Sequence, residues 1–426
     1  MMLPKIIFIA IENFNRELSG KILLANDLSA NGYCVFIGHK SIIRSMVLLY
    51  PLKNQIFIDK GVVNGSGERI KKLKKKGMHI FSFDEEALMQ TDDVIYSRNN
   101  HESDSKKYID GVFSWGPRHT NLLKNLGYKD EQIIKTGNPR FDQYKLNDKN
   151  EKKIKTKRKY ILICSRFCKQ RSARMLDGSE KYMDGFNSVF KRFLNIPKII
   201  READINLPIF IRPHPSEDFQ PWHENTRNLE NVKISSKGPV ANNFDDALIM
   251  IHNRCTTGIE AYLSNIPVIS YEPVKLDEPP HPPSKLLEAF STFVAHDDQN
   301  LVAIIKNIKF SNNSNNRAKS IKQFLYNSKN YSFKSITQFL NSKFPASING
   351  ANFLNIILLF VASIFLYCFH SLLKFILYFS NNDLYRYSKK KTGTNFIKNK
   401  NLNLERKKYF LVLPNLIFIY PKNKHF

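Results

Sequence analysis

Ile6 to Ile11 is an unbroken apolar run, and it constrains this chain more than any other feature. A strand that is apolar at every position is buried on both faces, which calls for helices above and below a parallel sheet. The same demand recurs. Tyr33 to Gly38, Gln55 to Ile58, His79 to Phe83 and Val112 to Trp115 read as further short strands with helical patterns between them. One helix carries Leu18, Ile22, Leu23, Ala25 and Leu28 and stops at Asn31-Gly32; another runs from Glu68 to Lys76 and stops at Gly77. Glu131 to Thr136 then leads into Gly137-Asn138-Pro139-Arg140-Phe141-Asp142.

From residue 145 to 159 the sequence is rich in lysine and asparagine and nearly free of apolar residues, the composition of a linker. Tyr160 to Cys164 restarts the strand pattern. Pro208 to Pro215 follows, in which Ile209 to Arg212 form a strand that Pro213 and Pro215 cannot continue, because neither donates a ladder hydrogen bond. His214 is thereby fixed at a strand exit. Ala247 to Ile251 gives another strand, then Thr256-Thr257-Gly258 opens a helix from Ile259 to Ser264, and Pro267 to Tyr271 closes a βαβ unit. The expected fold is α/β, two Rossmann-like domains over residues 1–144 and 160–345 facing a central cleft. Ligands of such sheets bind at the carboxyl ends of the strands.

Charge and the tail bear on partners. A chain of 426 residues with net charge +27 calls for an anionic partner. Nucleic acid is not indicated, since no zinc-finger spacing, basic heptad region or aromatic-basic RNA motif is present. Five scattered cysteines suit a reducing compartment. Phe353 to Phe369 is uncharged and apolar, and residues 350–380 read as a hydrophobic helix or hairpin in the membrane. The basic residues on both flanks place both ends on the cytoplasmic face of the inner membrane. Residues 381–426 form a basic tail whose second apolar run, Tyr409 to Tyr420, is broken by Pro414 and is assigned to the membrane interface. The lysine face of Arg69 to Lys76 reads either as a solvated helix or as a contact to an anionic membrane surface.

Several residues invite chemistry. Asp84, Glu85 and Glu86 follow a strand directly, either as a general base with a raised pKa or as the acidic start of a helix. His214 is a functional candidate because a Pro-His-Pro turn is a poor place to bury a histidine. Thr256-Thr257-Gly258 is either an N-cap or a phosphate cradle, and Arg212 either an ion-pair partner or a phosphate clamp. Glu260, three residues after Thr257, reads as the partner in a capping box. Glu12 and Arg140 lie at strand exits of the first domain and are candidates for its side of the cleft. No metal cluster is visible, and neither metal nor cofactor is expected.

The order Glu85-Glu86-Ala87, Arg212-Pro213-His214-Pro215, Thr256-Thr257 resembles GT-B glycosyltransferases, and among them bacterial surface-carbohydrate biosynthesis proteins such as the capsule and sialic-acid or Kdo transferases that use CMP-activated donors. The resemblance covers residues 5 to 340. It implies a transferase of capsule or lipopolysaccharide biosynthesis moving a nonulosonate or Kdo-like sugar from a CMP-sugar to a glycan or lipid-linked acceptor. Glu85 or Glu86 is then the base, and His214, Pro215, Arg212, Thr256, Thr257 and Gly258 hold the nucleotide phosphate. Ala87 stands where that family has glycine. Gly137 to Asp142 is similar to a stretch of the CDP-glycerol and CDP-ribitol phosphotransferases, which share the fold. A CDP-polyol phosphotransferase and a nucleotide-sugar epimerase are therefore the alternatives.

Overall fold

The computed structural model describes residues 5–49, 53–62, 66–85, 105–147, 159–167, 180–253, 255–273, 290–307, 330–346, 409–413 and 416–419, with 87, 322, 324–326, 361 and 365 besides. The chain divides into two compact units: Met1–Ala87, Asp93–Gln143 and Lys322–Phe426 form the first, Leu88–Asp92 and Tyr144–Ile321 the second.

The first unit opens with β1 (Ile6–Ile11), α1 (Phe14–Ala30), β2 (Cys34–His39), α2 (Lys40–Leu49), β3 (Ile56–Asp59), α3 (Gly67–Lys75) and β4 (His79–Ser82). β5 (Gly111–Ser114), α4 (Pro117–Asn125), β6 (Ile133–Lys135) and the short α5 (Asp142–Asn147) follow. All six strands are parallel, in the order β2-β1-β3-β4-β5-β6. Side chains alternate across the sheet. Ile7, Ile9 and Ile11 pack with Leu18, Ile22 and Leu28 of α1, while Ile6, Phe8 and Ala10 pack with Ile42, Met46, Ile70 and Leu73 of α2 and α3. The apolar run of β1 is thus explained by helices on both faces. Gly77, with φ +83°, ends α3 as the sequence predicts.

The second unit carries β7 (Tyr160–Cys164), α6 (Glu180–Glu202), β8 (Ile209–Arg212), α7 (Gln220–Thr226), β9 (Val232–Ile234), β10 (Ala247–His252), α8 (Thr257–Leu263), β11 (Val268–Tyr271), β12 (Phe293–Ala295) and α9 (Asp298–Lys306). Its parallel sheet runs β12-β11-β10-β7-β8-β9. Chain order reverses direction between β7 and β10, so the switch point of a doubly wound sheet lies between those two strands.

Two late segments return to the first unit. α10 (Ser332–Lys343), which the sequence placed in the second domain, buries Phe333, Ile336 and Leu340 in the core beside α1. The basic tail contributes β13 (Tyr409–Leu413) and β14 (Leu416–Ile419), an antiparallel hairpin that adds β14 to the free edge of β2, with Ile417 opposite Ile37. Ile417 and Ile419 are buried there. The apolar run assigned to a membrane interface therefore extends the sheet, with Leu416 buried on one face and Ile417 and Ile419 on the other. Among the described residues no helix is long and apolar enough to cross a membrane. The expected anchoring at the inner membrane is corrected as far as a spanning helix among the described residues is concerned; Phe353 to Phe369 and nearly all of 350–380 lie outside them. The linker also begins later than expected, because α5 continues to Asn147.

Candidate functional site

Glu217 organises the carboxyl edge of the second sheet. It sits three residues after His214 and is 3% exposed. Its carboxylate accepts from Ser165 Oγ at 2.8 Å, the Phe167 N–H at 2.9 Å, the His214 N–H at 3.3 Å and Trp222 Nε1 at 2.8 Å. The loops leaving β7 and β8 are tied to one side chain. Burial pushes the Glu217 carboxyl up, while Trp222, Ser165 and the two amides pull against that shift by favouring the charged form.

The loop so fixed presents Arg166 at the switch point. Its Nε donates to the Asn253 carbonyl at 2.9 Å, just past the end of β10, and Asn253 Nδ2 donates to the Tyr271 carbonyl at 2.8 Å at the end of β11. A half-buried guanidinium is thus held where open α/β sheets receive ligands. Sequence reasoning missed Arg166. The available signal was its position in the first turn after the unit's first strand.

His214 is half-buried, and its Nδ1 accepts from the Ser216 N–H at 3.2 Å. In the neutral ring the proton is then on Nε2, which is a donor for an anionic oxygen. Pro215 is exposed. Arg212 is turned elsewhere. Its guanidinium donates to the carbonyls of Ser236, Lys237 and Gly238 and to Asn243 Oδ1 at 3.0 Å, so it braces a loop and is not available as a phosphate clamp.

α8 starts at Thr257 with Thr256 as its N-cap, which makes no side-chain cap bond, so Thr257 is not the cap of the expected box with Glu260. Thr257 Oγ1 donates to Cys255 Sγ at 3.0 Å. Gly258 has a packing reason: a Cβ there would lie 2.7 Å from His252 Nε2. His252 is fully buried, and its Nδ1 accepts from the Cys255 N–H at 3.1 Å, which shapes the turn carrying the threonines. Burial, with Arg166 adding to it, pushes the His252 pKa down to about 3. The folded state therefore holds it neutral. Stability from this group is complete above the unfolded pKa of about 6.5 and is lost as pH falls toward the folded value, at about 1.4 kcal/mol per pH unit. Between pH 6.5 and pH 5 the share of this group in the stability read by urea unfolding should fall by about 1.6 kcal/mol. His252→Asn keeps an acceptor for Cys255 and should flatten that dependence; an unchanged slope in the variant contradicts the assignment.

In the first unit Glu85 does not have the character of a base. It is fully buried and receives Lys21 Nζ at 2.6 Å and Asn138 Nδ2 at 3.3 Å. Burial would raise its pKa, but Lys21, with Arg16 and Arg140 beyond it, holds it below the ordinary value. Arg140 is also buried, and Asn138 Oδ1 accepts from its N–H at 2.9 Å. Gly20 lets this segment dock on α1, since a Cβ there would meet the Pro139 carbonyl at 2.5 Å. Asp142 accepts from the Phe333 N–H at 2.9 Å, at the first turn of α10. The stretch from Gly137 to Asp142 is therefore a bracket joining α1, Glu85 and α10. Glu86 lies outside the described residues. Glu12 accepts from Lys40 and Lys60 at the ends of β2 and β3.

Asp84 is as buried as Glu85, at 3% exposed, but it faces a histidine, His119, itself 1% exposed, where Glu85 faces a lysine. It ends the segment after β4 with φ +46°, a backbone that non-glycine residues rarely adopt. His119 Nδ1 accepts from the Trp115 N–H at 3.1 Å, so the neutral ring directs an Nε2–H toward Asp84 Oδ2, 3.5 Å away. Among the described residues no group of histidine, cysteine and carboxylate side chains has the arrangement of a metal site.

No protein-family model matches the chain, and no curated protein matches it. Solved structures do. A putative UDP-N-acetylglucosamine 2-epimerase from Listeria monocytogenes aligns with TM-score 0.53 at 12% identity, covering 81% of this chain and 97% of that one. The Methanocaldococcus jannaschii UDP-GlcNAc 2-epimerase in complex with UDP-GlcNAc and UDP aligns with TM-score 0.50 at 12% identity, covering 79% and 99%. The wall teichoic acid polymerase TagF aligns with TM-score 0.45 at 11% identity, covering 80% and 89%. At these identities the likeness establishes the fold, a GT-B-like pair of α/β units. The expected CMP-sugar glycosyltransferase is corrected: the two structures above with TM-scores of 0.50 and 0.53 are named as UDP-GlcNAc 2-epimerases, and Glu85, one of the two carboxylates assigned as base, lies in a buried ion pair.

Proposed function

We propose that this protein is an enzyme acting on a nucleoside-diphosphate sugar, of the nucleotide-sugar epimerase class. The observation that carries the reading is Arg166, held by Asn253 at the switch point of the second sheet beside the loop of His214. A guanidinium offers planar, paired donors to a diphosphate, and a histidine with its proton on Nε2 adds one more. Thr256 and Thr257 are further candidate donors. The bound UDP-GlcNAc and UDP of the M. jannaschii structure support a nucleoside diphosphate, as does the basic balance of the chain. Epimerisation at a C–H centre needs a group that removes a proton and one that returns it. Asp84 with His119 is the first unit's candidate for that exchange, in place of Glu85.

Gly137 to Asp142 and His214-Pro215 favour a second reading, transfer of a polyol phosphate from a CDP-polyol. Incubation with UDP-GlcNAc and with CDP-glycerol separates the two. Interconversion of the UDP-sugar, lost in Asp84→Asn, is the expected result. Release of CMP from CDP-glycerol with the UDP-sugar unchanged would replace the epimerase reading by the second.

A further inference from the structure

Four cations and two carboxylates that the nucleotide reading does not use gather where β1, β2 and β3 end. Glu12, directly after β1, accepts from Lys40 Nζ at 2.6 Å and from Lys60 Nζ. Asp59 is the last residue of β3 and is 2% exposed. It accepts from Arg44 Nε at 3.2 Å, Arg44 Nη2 at 2.9 Å, Arg69 Nη2 at 3.2 Å and the Lys60 N–H at 2.8 Å. Positive charge exceeds negative in this group.

The unused donors are the informative part. Arg44 meets Asp59 through Nε and Nη2, and among the described residues its Nη1 has no acceptor. Arg69 uses Nη2 alone, and its buried Nε has no hydrogen-bond partner among them. Ser66, which precedes α3 and is 2% exposed, has a buried Oγ without a described partner as well. A buried hydroxyl left unsatisfied is costly, on the order of 1–3 kcal/mol. Asp59 fixes the planes of two guanidiniums whose remaining N–H groups have no acceptor among the described residues. This is a fork for a phosphate, which accepts paired N–H donors as a carboxylate does but carries more charge and more oxygens. Position agrees, because β2 and β3 lie on opposite sides of β1, which makes this edge the switch point of the first sheet.

We propose that the carboxyl edge of the first sheet is a second anion site, formed by Arg44, Arg69, Lys60, Lys40 and Ser66, that takes the phosphate or diphosphate group of a ligand independently of the second unit. Asp59 and Glu12 position the cations and do not themselves touch the ligand.

The test is calorimetric titration of inorganic pyrophosphate into the full-length chain carrying Arg166→Gln, which removes the second unit's guanidinium. Binding should persist there and weaken at least tenfold on adding Arg44→Gln and Arg69→Gln, with the far-ultraviolet circular dichroism unchanged. Absence of pyrophosphate binding in the Arg166→Gln protein, or equal binding after both further substitutions in a folded chain, overturns the site. If that variant does not fold, Ser66→Ala carries the test, because its hydroxyl has no described protein partner to lose. Several-fold weaker pyrophosphate binding is expected, and unchanged affinity overturns the site.

Discussion

Lys21→Met should cost the first unit about 3–5 kcal/mol of stability, the range for breaking a buried ion pair by removing one partner. Lys21 Nζ lies 2.6 Å from Glu85 Oε1, and each side chain is 1% exposed. Glu17 is fully buried in the same group, and its pKa is raised by burial and by the charge of Glu85. Without the lysine two carboxylates face each other away from water. The loss comes from the uncompensated charge, so Lys21→Met with Glu85→Leu should be more stable than Lys21→Met alone. Because the folded state depresses the Glu85 pKa, its contribution is complete above the unfolded value of about 4.3 and is lost as pH falls below it. Urea unfolding at pH 7 checks the pair. A single variant within about 1 kcal/mol of wild type would show that the cluster is hydrated, and the account of Glu85 as a buried structural carboxylate would fail.

Glu217→Gln should be nearly as damaging although it is isosteric. Every partner of that carboxylate is a donor: Ser165 Oγ, the Phe167 and His214 amides and Trp222 Nε1. Glutamine places an NH2 group against at least one of them, so a donor faces a donor in a buried site. The expected loss is about 2–3 kcal/mol, from unmade bonds to a charged acceptor. Function should fall with it, because the same side chain ties the loops that carry Arg166 and His214. Thermal unfolding and nucleotide titration of one preparation test both. Weakened folding with unchanged nucleotide affinity would separate Glu217 from the binding edge.

The strands were legible because β1, β7, β8 and β10 are short apolar runs closed by glycine, proline or polar residues, and the alternation of strand and helix followed from their order. His214 was legible too, since prolines on both sides fix its place at the end of β8. What stayed hidden depends on contacts between distant positions. Nothing local says that Glu85 meets Lys21, 64 residues away, so three adjacent carboxylates looked like a base and one of them is an ion-pair partner. Nothing local returns α10 or the hairpin of β13 and β14 to the first unit. Arg212 looked available as a phosphate clamp, and only the 236–238 loop against its guanidinium shows that it is a brace.

The most direct measurement is calorimetric titration of UDP into the full-length protein and into Arg166→Gln. The wild type should bind UDP at micromolar affinity, weakened about a hundredfold in the variant, as expected for losing a charge-assisted contact worth about 2–3 kcal/mol. Equal UDP affinity in both proteins, or no UDP binding by a folded wild type, would contradict a nucleotide site at the switch point of the second sheet.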